Sequence, residues 1–147
     1  MTLFDITNTI LTAAKNQPNV NAAGEGDIYT TMNSTPQMQY SCVFLTQGTH
    51  STSEAFDFYN FTIFYIDRLN SDMERDRLQI QSVGKEVLGN VIRDVCDKIE
   101  MDEPMVQYNP FTQRFIDETA GVYCTVTFTV ERDYLCDIPV VREAVDQ

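Results

Sequence analysis

VYCTVTFTVE, residues 122–131, is the stretch that decides the fold. Apolar side chains alternate along it with tyrosine, threonine or glutamate, in the order Val122, Tyr123, Cys124, Thr125, Val126, Thr127, Phe128, Thr129, Val130 and Glu131. A period of two predicts a β-strand with an apolar face and a face that carries a ladder of threonines. A strand of this kind, buried on one face and solvated on the other, is typical of an antiparallel sheet.

Further strands are predicted upstream and downstream of this stretch. Residues 56–69 are rich in aromatic and β-branched side chains and predict a second long strand. Shorter strands are predicted at 27–32, 38–46, 105–108 and 111–116, with an edge piece at 134–139 and polar loops at 47–54 and 117–121. Successive strands joined by short polar connections favour antiparallel pairing.

Two helices are predicted between the strands. Thr2 and Asp5 have the spacing of a capping box, and apolar residues at helical spacing follow, so a first helix is expected over 3–16. A second capping box at 71–74 precedes a long apolar stripe, so a longer helix is expected to about residue 100. The segment 16–27 between the first helix and the first strand is expected to be a loop or an extended crossing segment.

Together these elements predict an α+β fold, an antiparallel sheet of about four to five strands with two main helices packed on one face. Hydrophobic residues make up 43% of the chain, so it can bury a core and is not a disordered acidic tail. A single domain over 1–147 is expected, with a loosely held C-terminus from about residue 138.

The charge of the chain restricts its partners. Its 22 acidic and 10 basic residues give a formal net charge of −12. Such a surface repels nucleic-acid phosphates and disfavours proteins that read or clamp a duplex. No secretory signal is recognisable, and no segment is long and apolar enough to span a bilayer, so a soluble protein without a membrane partner is expected.

The cysteines are predicted to be structural. Cys42, Cys96, Cys124 and Cys136 are far apart in sequence and are expected to be buried reduced thiols. A zinc site is the alternative, but the chain has no Cys-x-x-Cys pair, and His50 is its single histidine. We therefore expect neither a metal nor a cofactor.

No catalytic motif is recognisable. His50 lies among hydroxyl side chains and beside Glu54, but all of these are in one predicted loop, whereas a catalytic triad is held by rigid elements, so a solvated hairpin tip is expected. Carboxylates cluster at 72–76 and 100–103 without the spacing of a calcium-binding loop, and a solvated charged surface is expected there. The sequence predicts an interaction protein and not an enzyme.

The strand at 56–69 carries large apolar side chains on both faces. Helices can cover one face, and we expect a subunit contact to cover the other, since large exposed aromatic surfaces are unusual in monomers. The residues predicted to form this subunit interface are Tyr59, Phe61, Ile63 and Tyr65, with Phe58, Phe64 and Ile66 on the opposite face.

Three runs of the sequence resemble a known group of proteins. They are FYIDRL at 64–69, LQIQSVG at 78–84, and AGV at 120–122, which follows Phe115. These runs, with the order of elements from about residue 3 to 136, resemble small virion proteins of tailed phages that infect Bacteroides-type hosts, including the crAss-like phages. The order of elements is also similar to the tail-terminator or tail-completion fold.

The resemblance implies a structural subunit of a phage head–tail connector or tail terminator. It implies a sixfold or twelvefold homo-oligomeric ring that contacts the portal or connector and other tail proteins, resides in the virion, and assembles in the host cytoplasm. Genomic DNA would pass through the ring without specific binding, because an acidic channel repels phosphates. The candidate channel-lining residues are Asp27, Glu54, Glu118 and Glu131.

An alternative function is that of an adaptor without enzymatic activity. Such a protein would bind another protein or a small ligand as a monomer or dimer. Sizing chromatography would separate it from a ring-forming subunit.

Overall fold

The computed structural model describes residues 1–28, 40–69, 73–114 and 118–132. In these residues two helices and six strands follow in the order α1 (Leu3–Lys15), β1 (Ala22–Glu25), β2 (Cys42–Gln47), β3 (Ser51–Thr52), β4 (Phe56–Arg68), α2 (Met73–Ile99), β5 (Asn109–Arg114) and β6 (Glu118–Glu131). The predicted α+β class is confirmed. The predicted edge piece at 134–139, Cys136 and the C-terminus from about residue 138 lie outside the described residues.

The sheet is larger than predicted and is mixed. Its strand order is β1-β2-β4-β6-β5, and the short β3 pairs with β4. The β1–β2 pair is parallel and the other pairs are antiparallel. The segment predicted as a loop or crossing segment supplies β1, whose small side chains gave no strand signal. β1 ends at Glu25 and is followed by Gly26, which has a φ of 133°.

The two long strands form the centre of the sheet. β4 and β6 pair along the whole length of β4, with Phe61 opposite Val126 and Ile63 opposite Cys124. These four side chains are buried on the face of the sheet that the helices cover, which we call the inner face. The alternation predicted for 122–131 is therefore confirmed, and β6 begins earlier than expected, at Glu118 instead of after a loop at 117–121.

Two other strand boundaries differ from the prediction. Residues 105–108 form no strand: Val106 and Tyr108 pack against the core while Met105 and Gln107 are exposed, so the alternating burial of a strand is present without its ladder of hydrogen bonds. Asp27 and Ile28 also lie outside any strand, and most of the predicted strand at 27–32 lies outside the described residues.

Both helices pack on the inner face. The predicted capping box of α1 is confirmed: the Asp5 N–H donates to Thr2 Oγ1 at 3.2 Å, and the Thr2 N–H donates to Asp5 Oδ2 at 3.0 Å. Hydrogen bonding of the Asp5 carboxylate to the Thr2 backbone N–H, and secondly to the Thr2 side chain, favours its charged form and lowers the pKa of Asp5. α1 buries Ile6 and Ile10 against α2, which lies over β4 and β6.

A close helix–sheet contact fixes the position of α2. Gly84 faces the sheet, where a β-carbon at this position would lie 2.7 Å from Tyr65 Cδ1 and 2.9 Å from Val122 Cγ2. The absence of a side chain therefore lets the helix approach the centre of the sheet. Within the described ranges, neither helix has both the length and the apolar content needed to cross a membrane.

Candidate interaction surfaces

The predicted interface residues lie mostly in the core of the subunit. Phe61 and Ile63 have no exposed surface and Tyr65 is 2% exposed, because α1 and α2 cover them. Tyr59 is half-buried at the rim of the same face, where its hydroxyl donates to the Met1 carbonyl oxygen at 3.0 Å. The assignment of Phe61, Ile63 and Tyr65 to a subunit interface is therefore wrong. Both faces of this strand are aromatic, so the sequence alone did not indicate which one the helices would cover.

The opposite face of the sheet is the better candidate, and we call it the outer face. Its central positions on β4 and β6 are occupied by Phe58, Asn60, Thr62, Phe64, Tyr123, Thr125, Thr127 and Thr129. All eight are partly or fully exposed, and none is charged. Neither α1 nor α2 packs on this face.

Polar and aromatic contacts hold the side chains of the outer face in place. The Asn60 side-chain amide donates to Thr127 Oγ1 at 2.8 Å, and the hydroxyls of Thr62 and Thr125 are 3.2 Å apart. Towards β5, the ring of Phe64 lies 5.5 Å from that of Tyr123 and 6.1 Å from that of Phe111, measured between centroids. The outer face is thus an ordered surface of hydroxyls and aromatic rings.

A small second core closes one end of this face. Ile28, Cys42, Phe44 and Ile66 are buried together there. Burial raises the pKa of the Cys42 thiol to about 12.

The cysteines of the described residues are buried and unreactive. Cys42, Cys96 and Cys124 are free and buried, as predicted. Burial also raises the pKa of Cys124 to about 12, so neither Cys42 nor Cys124 carries the thiolate that a nucleophile requires at neutral pH. In the described part of the chain, no three His, Cys, Asp or Glu residues are grouped closely enough to hold a metal ion.

His50 is not part of a solvated tip. Its Nδ1 accepts a hydrogen bond from the Asn60 N–H at 3.1 Å, which leaves the proton of the neutral ring on Nε2, 3.1 Å from Gln47 Oε1. The ring also packs against Tyr59 and Phe61, with centroids 5.6 and 5.5 Å away. His50 therefore anchors the loop between β2 and β3 to β4, a role that no sequence pattern indicates.

The four candidate channel residues do not form one patch. Asp27, Glu54, Glu118 and Glu131 are all exposed. Glu131 lies opposite Phe56 at one end of the sheet, and Glu54 lies at the same end, two residues before Phe56. Glu118 lies at the other end of the 14-residue β6, about 40 Å away at the usual rise per residue. Asp27 follows β1 at the edge of the sheet. The structure therefore brings only Glu54 and Glu131 to one place.

The carboxylates at 100–103 surround the end of α2. Glu100 has a φ of 57° and follows the last helical residue. Glu103 forms an exposed ion pair with Arg93, with the Oε1 and Nε atoms 3.4 Å apart. The side chains of Glu100 and Asp102 are exposed, as predicted for a solvated charged surface.

A groove lies between the end of β1 and the outer face. Its volume is about 500 Å³, and its lining includes Glu25, Asp27, Thr62 and Phe64. It combines two carboxylates with one aromatic ring, that of Phe64, and is open to solvent.

A comparison with protein-family models gives no match for this chain, and a comparison with curated proteins gives none either.

Proposed function

We propose that this chain is a structural subunit of a closed homo-oligomeric ring at a phage head–tail junction or in the tail, as a connector or tail terminator. Each subunit would contact its neighbours in the ring, and the ring would contact the portal or connector and other tail proteins. Genomic DNA would pass through its centre, and the protein would reside in the virion. The resemblance of the runs at 64–69, 78–84 and 120–122 supports the proposal.

The observation that carries the proposal is the uncharged outer face. In a chain with a net charge of −12, the eight central positions of this face on β4 and β6 hold aromatic, threonine and asparagine side chains alone. Depletion of charge and enrichment of aromatic residues distinguish the centre of protein–protein interfaces from the rest of a surface. In a ring the contact is heterologous, so the outer face of one subunit would meet a different surface of the next.

The net charge supports the second part of the proposal. Repulsion between carboxylates and phosphates lowers the affinity of a channel wall for DNA, and binding through counterion release requires Lys and Arg. Glu54 and Glu131 are exposed together at one end of the sheet and are the candidates for the wall. They lie away from the centre of the outer face, so one subunit could use both surfaces.

The oligomeric state tests this function. Multi-angle light scattering on the purified protein should give a mass of about 100 or 200 kDa, six or twelve times 16.8 kDa. Negative-stain electron microscopy should show rings with a central hole. A protein that remains a monomer at every concentration would contradict the proposal.

A pair of variants at Thr62 locates the contact. Thr62 is half-buried in the middle of the outer face, so Thr62→Lys should place a charge in the interface. The charge should weaken the binding free energy of each subunit contact by several kcal/mol and therefore yield monomers. Thr62→Val has nearly the same shape without a charge and should leave the ring intact. Equal masses for the two variants, with unchanged melting temperatures, would remove the outer face from the contact.

The groove favours a second candidate function, a monomeric or dimeric adaptor that binds a small ligand. Its volume of about 500 Å³ lies within the range of small-molecule sites. A monomeric or dimeric mass in the same scattering experiment, together with a ligand-dependent rise in melting temperature, would favour the adaptor over the ring.

A further inference from the structure

One edge of β6 is only partly covered. β4 pairs with β6 from Thr119 to Glu131, but on the other side β5 pairs only from Glu118 to Tyr123, where Asn109 is the last partner. From Cys124 onwards the edge on the β5 side has no strand beside it in the described residues. A strand edge of this kind presents backbone N–H and C=O groups to other chains.

The direction of the backbone groups identifies the residues that face this open edge. The Thr129 N–H points away from β4, because it donates to Met101 Sδ at 3.3 Å. In a strand, residues two positions apart point their N–H and C=O groups to the same side. The N–H and C=O groups of Thr125 and Thr127 therefore face the open edge. Met101 occupies one end of it and Asn109 the other.

A cleft lies along this open edge. Met105, Gln107, Asn109 and Thr125 line a space of about 390 Å³. The side chain of Met105 is 93% exposed, and Gln107 is also exposed, so the segment beside the edge leaves room next to it. The cleft borders the threonine ladder of the outer face, where an added strand would continue the sheet.

The charge around the Thr129 end of the edge indicates what kind of segment would fit. Glu100 and Asp102 flank Met101, and Glu131 follows Thr129 by two residues; all three carboxylates are exposed. Arg132, the neighbouring base, is directed to the other side, where its guanidinium donates to the Ser53 carbonyl oxygen at 3.3 Å. A Lys or Arg near one end of an incoming strand would meet opposite charge here, whereas an Asp or Glu at that position would be repelled.

We infer that the open edge of β6 at Thr125 and Thr127 binds an extended segment of another protein by strand addition, and that this segment carries a Lys or Arg at the end that lies near Glu131. Backbone hydrogen bonds supply the affinity in this mode of recognition, and side chains on alternate positions supply the specificity. The inference concerns a strand edge and holds whether or not the chain forms a ring.

The probe for the test is the synthetic peptide KTVTVTK with blocked ends, which places a lysine near the carboxylates in either strand direction. Binding is followed by backbone amide shifts and hydrogen exchange of the full chain. The Thr125 and Thr127 amides should exchange rapidly in the free protein and become protected at least about tenfold when the peptide is bound. Slow exchange of both amides in the free protein would show that the edge is already occupied and would overturn the inference.

Matched peptides separate the two parts of the recognition. ETVTVTE should bind at least about tenfold more weakly, because its charges face Glu100, Asp102 and Glu131. In KTVTVTK with N-methyl groups on alternate amides, one edge of the peptide has no N–H donors. This peptide should not bind with that edge towards β6. Binding of a fully N-methylated KTVTVTK with equal affinity would overturn the inference.

Variants of the chain complete the test. Thr125→Pro removes an N–H that faces the edge and breaks no backbone hydrogen bond to β4, so it should weaken peptide binding about tenfold. Thr125→Val likewise lacks the hydroxyl that contacts Thr62 but keeps the N–H, and should bind as wild type. Glu131→Lys leaves the backbone unchanged and should weaken KTVTVTK while strengthening ETVTVTE, which tests the charge even if the proline variant fails to fold. If Thr125→Val and a folded Thr125→Pro chain bind KTVTVTK with equal affinity, the inference is overturned. It is also overturned if Glu131→Lys binds each of the two peptides with the same affinity as the wild-type chain does.

Discussion

Replacing Gly84 by alanine tests the position of the long helix on the sheet. The added β-carbon would lie 2.7 Å from Tyr65 Cδ1 and 2.9 Å from Val122 Cγ2, closer than real β-carbons approach other heavy atoms. Tyr65 is 2% exposed and Val122 4% exposed, so neither side chain can move into solvent. Either the helix must move away from the sheet or the core must repack.

The expected change in stability is the sum of two opposing effects. Alanine raises helix propensity over glycine by about 1 kcal/mol. Overpacking a core in which two held side chains must move costs about 2–3 kcal/mol. The free energy of unfolding should therefore fall by about 1–2 kcal/mol in Gly84→Ala.

Gly89→Ala in the same helix is the matched control. Its β-carbon would meet only the Tyr108 hydroxyl, at 3.3 Å, and that hydroxyl lies at the far end of its side chain. The control should keep most of the propensity gain, so the two variants should differ by about 2 kcal/mol, or about 6 °C in melting temperature for a chain of this size. Urea unfolding followed by circular dichroism, at one protein concentration, measures the difference. If Gly84→Ala is stabilised as much as Gly89→Ala, the close approach of α2 to Tyr65 and Val122 is refuted.

Two further predictions concern the buried thiols and the histidine. The pKa of Cys42 and Cys124 is raised from 9.0 to about 12 in the folded chain by burial, so the unfolded chain loses these protons first. The free energy of unfolding should therefore fall as pH rises from 9 to 12, by up to about 3 kcal/mol per pH unit for the two thiols. Urea unfolding at stepped pH measures this, and a Cys42→Ala, Cys124→Ala chain that falls as steeply as wild type would contradict it. His50→Ala removes the acceptor of the Asn60 N–H and should lower the free energy of unfolding by about 1–2 kcal/mol. Hydrogen exchange of the Asn60 amide should become faster, while exchange of the Phe61 amide, which faces β6, should not change. Unchanged exchange at Asn60 would contradict the role given to His50.

The parts of the fold that the sequence predicted are those specified by local patterns. The alternation at 122–131 and the capping box of Thr2 and Asp5 are each contained within a few residues, and both are confirmed. β1 was missed because Ala22–Glu25 has no large apolar side chain and becomes a strand only by pairing with β2. The alternating burial at 105–108 is present, but no ladder of backbone hydrogen bonds accompanies it, because such bonds depend on where the chain runs relative to β6.

The candidate interface depended on tertiary information that the sequence lacks. β4 has aromatic side chains at both sets of alternate positions, so periodicity predicted the strand but not which face the helices would cover. Burial of Phe61 and Ile63 moves the candidate contact to Thr62 and Phe64, one position along the strand. The role of His50 also depends on a partner ten residues away in sequence, the Asn60 amide.

Because β4 pairs with β6, one edge of β4 lacks its partner while the chain is being synthesised on the ribosome. Ile63 pairs with Cys124, so β4 is synthesised about 60 residues before the strand that completes its hydrogen bonds. At ordinary elongation rates of about 5–20 residues per second, that interval lasts about 3–12 seconds. During this time β4 can form its hairpin with β2 locally, but its other edge and its aromatic rings remain exposed on the nascent chain. The order of strands therefore leaves Phe56–Arg68 exposed to aggregation until synthesis reaches β6.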